Sequence, residues 1–189
     1  PRPETIAELG DKMSARALAQ AAGVPTVPGT DHIATLDQAR EAADRLGYPV
    51  VMKATAGGGG RGMFRADGPG ELAASFERAA REAEAAFGDP RLYMEVFVGN
   101  ARHVEVQVMG DGAGNVVHFG TRDCSVQRRY QKLIEEGPAI AMPEALRERM
   151  HEAALRLTAH ARYRNAGTVE FLYDVDREAF YFIEVNSRI

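Results

Sequence analysis

The middle of the chain alternates apolar and polar residues with a period of two. Over residues 102–109, valines take the even positions from 104 onward, and His103, Glu105 and Gln107 take odd positions. Side chains two apart in a strand lie on the same face, so this pattern predicts a strand with one buried and one polar face. The residues alone leave open whether the polar face is ordinary solvent-exposed surface or part of a site.

Neighbouring stretches extend the predicted sheet. Residues 92–98 and 116–122 also have the composition of strands, and residues 110–115 form a glycine-rich connection typical of a hairpin. We therefore predict an antiparallel meander of three consecutive strands. Two further strands, over residues 168–174 and 179–186, are predicted to form a second hairpin near the end of the chain.

Apolar residues at helical spacing, with capping residues before them and glycine or proline after them, predict four helices. They cover residues 11–22, 36–46 and 70–87, and a segment in which Pro143 is the first helical residue. Helices combined with hairpin-connected strands predict an α+β fold with antiparallel sheets rather than a doubly wound sheet.

A glycine run follows a strand predicted over residues 49–54, and residues 63–65 form the return arm of a hairpin. The run consists of Gly57, Gly58, Gly59 and Gly60. Such a run lets backbone N–H groups approach a ligand closely, and Lys53 and Arg61 flank it with positive charge. It is either a loop that closes over phosphates or a flexible linker. It matches neither the P-loop pattern nor the dinucleotide fingerprint.

The two final strands carry candidate metal ligands. Alternation along the last strand predicts that Phe182, Glu184 and Asn186 share one face, and hairpin pairing would place Glu170 on the neighbouring strand. Carboxylate and amide oxygens are hard ligands of the kind that Mg²⁺ requires when it bridges nucleotide phosphates. The alternative is that these glutamates pair with cations of the sheet or with solvent.

Composition and charge exclude several classes of function. The formal net charge is −4, and the charged cluster over residues 122–136 mixes both signs, which is typical of a solvated loop. We therefore expect neither nucleic acid nor an acidic membrane as the main partner. No apolar stretch approaches the roughly 18 residues of a membrane span, and the N-terminus lacks a signal-peptide pattern. A cytoplasmic location is the expectation.

Several motifs together resemble the biotin carboxylase family of ATP-grasp enzymes. The most specific is Arg122-Asp123-Cys124-Ser125, followed by Gln127-Arg128-Arg129, which separates this family from carbamoyl-phosphate synthases. The other matching segments are residues 9–12, 48–54, 57–62, 102–107, 166–171 and 182–188. The resemblance implies an ATP-grasp fold with a lid subdomain and part of the antiparallel C-terminal ATP-binding sheet.

The resemblance also implies an activity. Members of the family use ATP with Mg²⁺ or Mn²⁺ to carboxylate biotin on a carrier domain. Bicarbonate attacks the γ-phosphate to give carboxyphosphate, whose breakdown delivers CO₂ to biotin. The implied partners are bicarbonate, a biotin carboxyl carrier domain and a carboxyltransferase, and the parent protein is expected to be a homo-oligomer. Acceptor choice belongs to the carboxyltransferase, so the acceptor cannot be read from this chain.

The resemblance assigns roles to individual residues. Lys132 and Arg188 match residues that hold bicarbonate and the developing anions. The implied nucleotide-binding residues are Lys12, Lys53, Gly57, Gly58, Gly59, Gly60, Glu95, His103 and Gln127, with both lysines near the phosphates and Glu95 near the adenine. The implied Mg²⁺ ligands are Glu170, Glu184 and Asn186.

The same resemblance implies a division into domains. Residues 1–22 form a helix that connects to an absent N-terminal domain, residues 23–97 form the glycine-loop lid subdomain, and residues 98–189 form an incomplete ATP-grasp core. We expect a fragment that has little carboxylase activity by itself. Two alternatives stay open: another ATP-grasp ligase, which bicarbonate would not stimulate, and a non-catalytic nucleotide-binding or regulatory module.

Overall fold

The structure is a computed structural model that describes residues 1–56 and 62–187. The chain divides into two compact units. Val27–Val98 make up the smaller unit, and Pro1–Thr26 with the residues from Gly99 onward make up the larger one. The segment predicted as a connecting helix therefore packs in the same unit as the segment predicted as the core. The further domain expected before it stays a prediction.

Three helices come first along the chain, and two further helices separate the strands that follow into groups. The helices are α1 (Pro3–Gly10), α2 (Lys12–Ala21), α3 (Leu36–Leu46), α4 (Pro69–Phe87) and α5 (Glu144–His160). The strands are β1 (Val50–Ala54), β2 (Met63–Ala66), β3 (Leu92–Val96), β4 (Ala101–Asp111), β5 (Val116–Arg128), β6 (Gln131–Glu136), β7 (Arg164–Asp174) and β8 (Ala179–Asn186).

The smaller unit is a three-stranded antiparallel sheet with two helices. β1 is the central strand and pairs with β2 and β3, so that Met52 lies opposite both Phe64 and Met94. The alanine-rich faces of α3 and α4 pack in one core with the apolar residues of these strands. The predicted hairpin of β1 and β2 is confirmed.

The larger unit is a five-stranded antiparallel sheet in the order β6-β5-β4-β7-β8. The predicted two faces of β4 are confirmed, because its valines are buried in a core that also contains residues of α1, α2 and α5. Met150 and Leu157 of α5 belong to this core, as do Phe171 of β7 and Phe182 of β8. The odd-numbered residues of β4 therefore lie on the opposite, polar face of the sheet.

The predicted meander is wrong at its first strand. β3 pairs with β1 in the smaller unit, whereas β4 pairs with β5 and β7 in the larger unit. Residue alternation identifies a strand, but the surface against which its apolar side chains pack decides its partner. Leu92 and Met94 of β3 are buried in the core of the smaller unit.

The charged segment predicted as a loop is also different in the structure. β5 continues to Arg128 and pairs with β6, with two irregularities in their register.

The four predicted helices are confirmed within a few residues, although α5 begins at Glu144 and Pro143 precedes it as the capping residue. The segment 1–22, predicted as one connecting helix, contains two helices, α1 and α2, with Asp11 between them. No helix in the described ranges is long and apolar enough to cross a membrane.

His151 of α5 is a buried histidine whose ring stacks on His118 of β5. The ring centroids are 4.1 Å apart and the planes are inclined by 24°. Neither ring nitrogen of His151 makes a hydrogen bond within the described part of the chain, while Oε2 of Glu148 lies 3.5 Å from Nδ1. Burial, together with His118 and more weakly Arg147, outweighs Glu148 and lowers the pKa of His151.

We expect the larger unit to lose stability as the pH falls below about 6.5, the pKa of an unfolded histidine. Because the folded-state pKa of His151 is lower, the unfolded chain binds the proton more readily over this range. His151→Phe, which keeps a ring against His118, should make the free energy of unfolding depend less on pH between about 7 and 5. Denaturant unfolding at several pH values measures this, with the exposed His160→Gln as the control. An unchanged pH dependence in His151→Phe would contradict the prediction.

Candidate functional site

The polar face of the larger sheet brings two buried glutamates together. Glu105 of β4 and Glu170 of β7 are cross-strand partners, and they are only 2% and 3% exposed. Two neighbouring carboxylates repel each other and lose their hydration on burial, so they require cationic partners. This pair is the centre of the candidate site.

Lys132 of β6 supplies positive charge to both glutamates. Its Nζ contacts Oε2 of Glu105 and lies 2.6 Å from Oε1 of Glu170. Burial opposes the charged form of this side chain, but the two carboxylates outweigh it and raise the pKa of Lys132. Lys132 is therefore an ammonium ion that reaches across β5 and β4 to β7.

Arg122 of β5 holds the other oxygen of Glu105. Its Nε donates to Oε1 of Glu105 at 2.5 Å, and both terminal nitrogens donate to Oε1 of Gln107 at 3.1 Å. Glu105 thus contacts Arg122 through one oxygen and Lys132 through the other. A buried carboxylate with two cationic partners is fixed in position, and losing one partner is costly.

Glu170 is ionised although it is buried. Burial alone would raise the pKa of its carboxyl group, but the contacts with His103 and Lys132 hold that pKa at about 2. Asn186 of β8 also donates an amide hydrogen bond to Oε1 of Glu170. At neutral pH this side chain is therefore a negatively charged oxygen ligand.

A β-bulge brings Glu184 next to Glu170. From Phe182 to Glu184 the last strand advances by two residues while β7 advances by one, so Ile183 is an extra residue. The prediction that Phe182, Glu184 and Asn186 share one face is therefore wrong. Phe182 lies in the core, whereas Glu184 is the direct partner of Glu170 on the polar face.

The oxygen atoms assembled here fit a hard divalent cation. Glu170 and Glu184 offer carboxylate oxygens on adjacent strands, and the Asn186 side chain contacts Glu170. Lys12, the first residue of α2, extends its Nζ to 3.5 Å from Oε2 of Glu184. The structure thus brings four predicted site residues, Lys12 and the three predicted metal ligands, to the same part of the sheet.

Gln127 of β5 sets the orientation of His103. The amide Nε2 of Gln127 lies 2.7 Å from Nδ1 of His103 and donates to the carbonyl oxygen of Cys124, also at 2.7 Å. An amide nitrogen is only a donor, so Nδ1 of His103 accepts this hydrogen bond. Nε2 of His103 lies 2.8 Å from Oε2 of Glu170, a close contact that is not aligned as a hydrogen bond.

In the smaller unit, Lys53 and Glu95 form a buried ion pair. Nζ of Lys53, on β1, lies 2.5 Å from Oε2 of Glu95, on β3, and the two side chains are 18% and 7% exposed. The pair holds the Lys53 ammonium in a defined position. The role of Glu95 near an adenine stays a prediction, as do the roles of the other predicted site residues.

Some predicted site residues cannot be placed, and some residues of the cluster were not predicted. Gly57, Gly58, Gly59, Gly60 and Arg188 lie outside the described residues. Glu105 and Arg122, at the centre of the cluster, were not assigned a role from the sequence. The available signal was a carboxylate in the middle of a long strand, since such a residue is costly to bury alone.

A second acidic group, which includes Cys124, adjoins the cluster. Ligand atoms of Glu105, Cys124 and Glu135 lie within 4.8 Å of one another. Burial and then the charge of Glu105 raise the pKa of the Cys124 thiol to about 12. The thiol is therefore protonated at neutral pH.

The helices and antiparallel sheets match those of solved biotin carboxylases, which confirms the ATP-grasp fold that the resemblance implied. The chain belongs to the family described as the carbamoyl-phosphate synthase L chain, ATP-binding domain, whose model matches residues 11–189. The resemblance to biotin carboxylases is likewise confirmed by similarity to individual proteins.

Three similar proteins illustrate this relationship. The chloroplastic biotin carboxylase of Arabidopsis thaliana is 52% identical over 100% of this chain and 35% of its own length. The crystal structure of a biotin carboxylase-beta-gamma-ATP complex from Campylobacter jejuni matches 98% of this chain and 42% of that chain, with 49% identity and a TM-score of 0.93. A biotin carboxylase domain of Hydrogenobacter thermophilus 2-oxoglutarate carboxylase, in complex with MgADP, ADP and bicarbonate, matches 98% and 41%, with 43% identity and a TM-score of 0.91.

The chain spans well under half the length of each of these relatives. The activity, substrates and partners of the whole protein are therefore treated below as proposals.

The buried position of Glu105 generates a stability prediction. Arg122→Gln should lower the free energy of unfolding of the larger unit by about 3 kcal/mol, because it leaves a buried carboxylate with one cationic partner instead of two. Denaturant unfolding at neutral pH measures the change. Arg156→Gln is the control, since its guanidinium is about half exposed and lies 3.9 Å from Glu152, and it should cost less than about 1 kcal/mol. Equal losses in the two variants would contradict the prediction.

Proposed function

We propose that this chain is part of a biotin carboxylase that uses ATP and bicarbonate to carboxylate biotin on a carrier domain through carboxyphosphate. One observation carries the proposal: Glu170 and Glu184 are direct partners on one sheet face, and Lys132 contacts Glu170. This combines ligands for a divalent cation with a cation for a small anion. The names of the similar proteins supply the identity of that anion, bicarbonate, and of the acceptor, biotin.

In this proposal the metal ligands are Glu170, Glu184 and Asn186. Bound Mg²⁺, or Mn²⁺, would neutralise charge on the phosphate oxygens during phosphoryl transfer. Lys132, together with Arg188, would bind bicarbonate and stabilise the anion that forms from it. Holding bicarbonate in line with the γ-phosphate is the main task of these side chains, because the reaction needs no covalent nucleophile from the protein.

The remaining predicted residues are proposed to bind ATP. Lys12 and Lys53 would contact its phosphates, and the four glycines of residues 57–60 would approach the phosphates with their backbone N–H groups. Glu95 is proposed to lie near the adenine while it holds Lys53. His103 would lie by the nucleotide, and Gln127 would fix the ring of His103 through the contact at Nδ1.

The proposal extends to partners and location. The biotin carboxyl carrier domain and a carboxyltransferase are the proposed partners, and a homo-oligomer is the proposed state of the parent protein. The Hydrogenobacter domain named above is described as a dimer, which supports this state. A cytoplasmic location remains the proposal from the sequence, although the Arabidopsis relative is chloroplastic.

A second candidate is another ligase of the ATP-grasp class. The observation that favours it is the family description, which names carbamoyl-phosphate synthase rather than a biotin enzyme. The two candidates differ in their substrates. With bicarbonate present, a biotin carboxylase should hydrolyse MgATP faster when free biotin is added, whereas a ligase for ammonia or an amino acid should respond to that substrate and not to biotin.

Nucleotide binding is the first test of the site. In the intact protein, Lys53→Met and Glu184→Gln should each weaken MgADP binding by on the order of tenfold or more, because each removes a charge-assisted contact. Isothermal titration calorimetry measures this. Arg81→Gln and Glu152→Gln are matched controls, since both side chains are largely exposed, and they should bind as the wild type does. Wild-type affinity in both site variants would rule out the assigned site.

A further inference from the structure

Glu170 has donor groups at both carboxylate oxygens. Nζ of Lys132 lies 2.6 Å from Oε1, Asn186 donates to the same oxygen, and Nε2 of His103 lies 2.8 Å from Oε2. Asn186 is uncharged, so the positive charge at Oε1 comes from the Lys132 ammonium among the contacts of the described residues.

Lys132 and a divalent cation would compete for Oε1 of Glu170. Mg²⁺ binds its oxygen ligands at about 2.1 Å, and the Lys132 ammonium lies 2.6 Å from Oε1, so an ion on that oxygen would lie within about 5 Å of the ammonium. The Lys132 side chain is only 19% exposed, so water and salt screen this repulsion poorly. Contact of both the Lys132 ammonium and a divalent cation with Oε1 of Glu170 is therefore energetically unfavourable.

Glu105 gives Lys132 a second position. Its Oε2 contacts Nζ of Lys132, while its Oε1 is fixed by Arg122 at 2.5 Å. Glu105 therefore stays in place when the contact between Lys132 and Glu170 is broken, and Lys132 keeps one buried carboxylate partner.

We propose that Lys132 is the built-in counter-ion of the metal site, which a divalent cation must displace from Glu170 in order to bind. This inference rests on the proposed ligation of the metal by Glu170. The displaced Lys132 ammonium stays in contact with Glu105, and the N–H group that contacted Glu170 can then donate to an anionic substrate. Metal binding and presentation of Lys132 to bicarbonate are thereby coupled, and a divalent cation without nucleotide binds weakly.

The test measures binding of Mn²⁺ alone to the intact protein, from the electron paramagnetic resonance signal of free Mn²⁺. Lys132→Met keeps the length of the side chain and removes its charge, so it should bind Mn²⁺ on the order of tenfold more tightly than the wild type. Lys132→Arg keeps the charge and should bind as weakly as the wild type. If Lys132→Met does not fold, the double variant Lys132→Met with Glu105→Gln, which keeps the net charge of the cluster, should show the same tighter binding.

A second measurement separates this inference from the proposed function. In an otherwise wild-type protein, Glu170→Gln should weaken the binding of Mn²⁺ in the presence of ADP. If it does, and Lys132→Met binds Mn²⁺ alone no more tightly than the wild type, the counter-ion role is wrong and the metal site stands. If Glu170→Gln leaves Mn²⁺ and ADP binding unchanged, the metal site is misassigned and the counter-ion role falls with it.

Discussion

A single lysine that bridges two buried carboxylates organises the polar face of the larger unit. Glu105 and Glu170 are adjacent on neighbouring strands, and the contact of Lys132 with both offsets their repulsion. Because this ammonium comes from β6, at the edge of the sheet, the interaction also ties that edge to β7, three strands away. The lysine thereby links the stability of the sheet to the geometry of its site.

Much of the fold follows from local patterns, while the pairing of strands does not. The valines of β4 identified its buried face because burial on one side of a strand imposes a period of two. The same pattern could not assign β3 to the smaller sheet, because an apolar side chain such as Met94 carries no information about which core will bury it. The strand β6 was missed because its residues are mostly exposed, half of them are charged, and it pairs with β5 at the edge of the sheet without a buried apolar face.

The candidate site was predictable from the sequence to a similar extent. Glu170 was identified because hairpin pairing of the last two strands would place it next to the strand of Glu184, and the resemblance to biotin carboxylases supplied its role. Glu105 did not stand out, since its neighbours in sequence alternate and an exposed face explains them equally well. Its burial depends on Arg122 and Lys132, which come from two other strands, and contacts across strands cannot be read from one strand alone.

The bulge at Ile183 lets one strand place side chains first in the apolar core and then on the polar face of the same sheet. Before the bulge, Phe182 faces the helices, and after it Glu184 faces the charged side, because one additional residue reverses the parity of the strand. The environment of each side chain in this segment therefore depends on the bulge as well as on the sequence. If the strand paired regularly with Ile183 still in it, Glu184 would face the core and Val185 the polar side, so the face that carries the proposed metal ligands depends on an irregularity of the backbone.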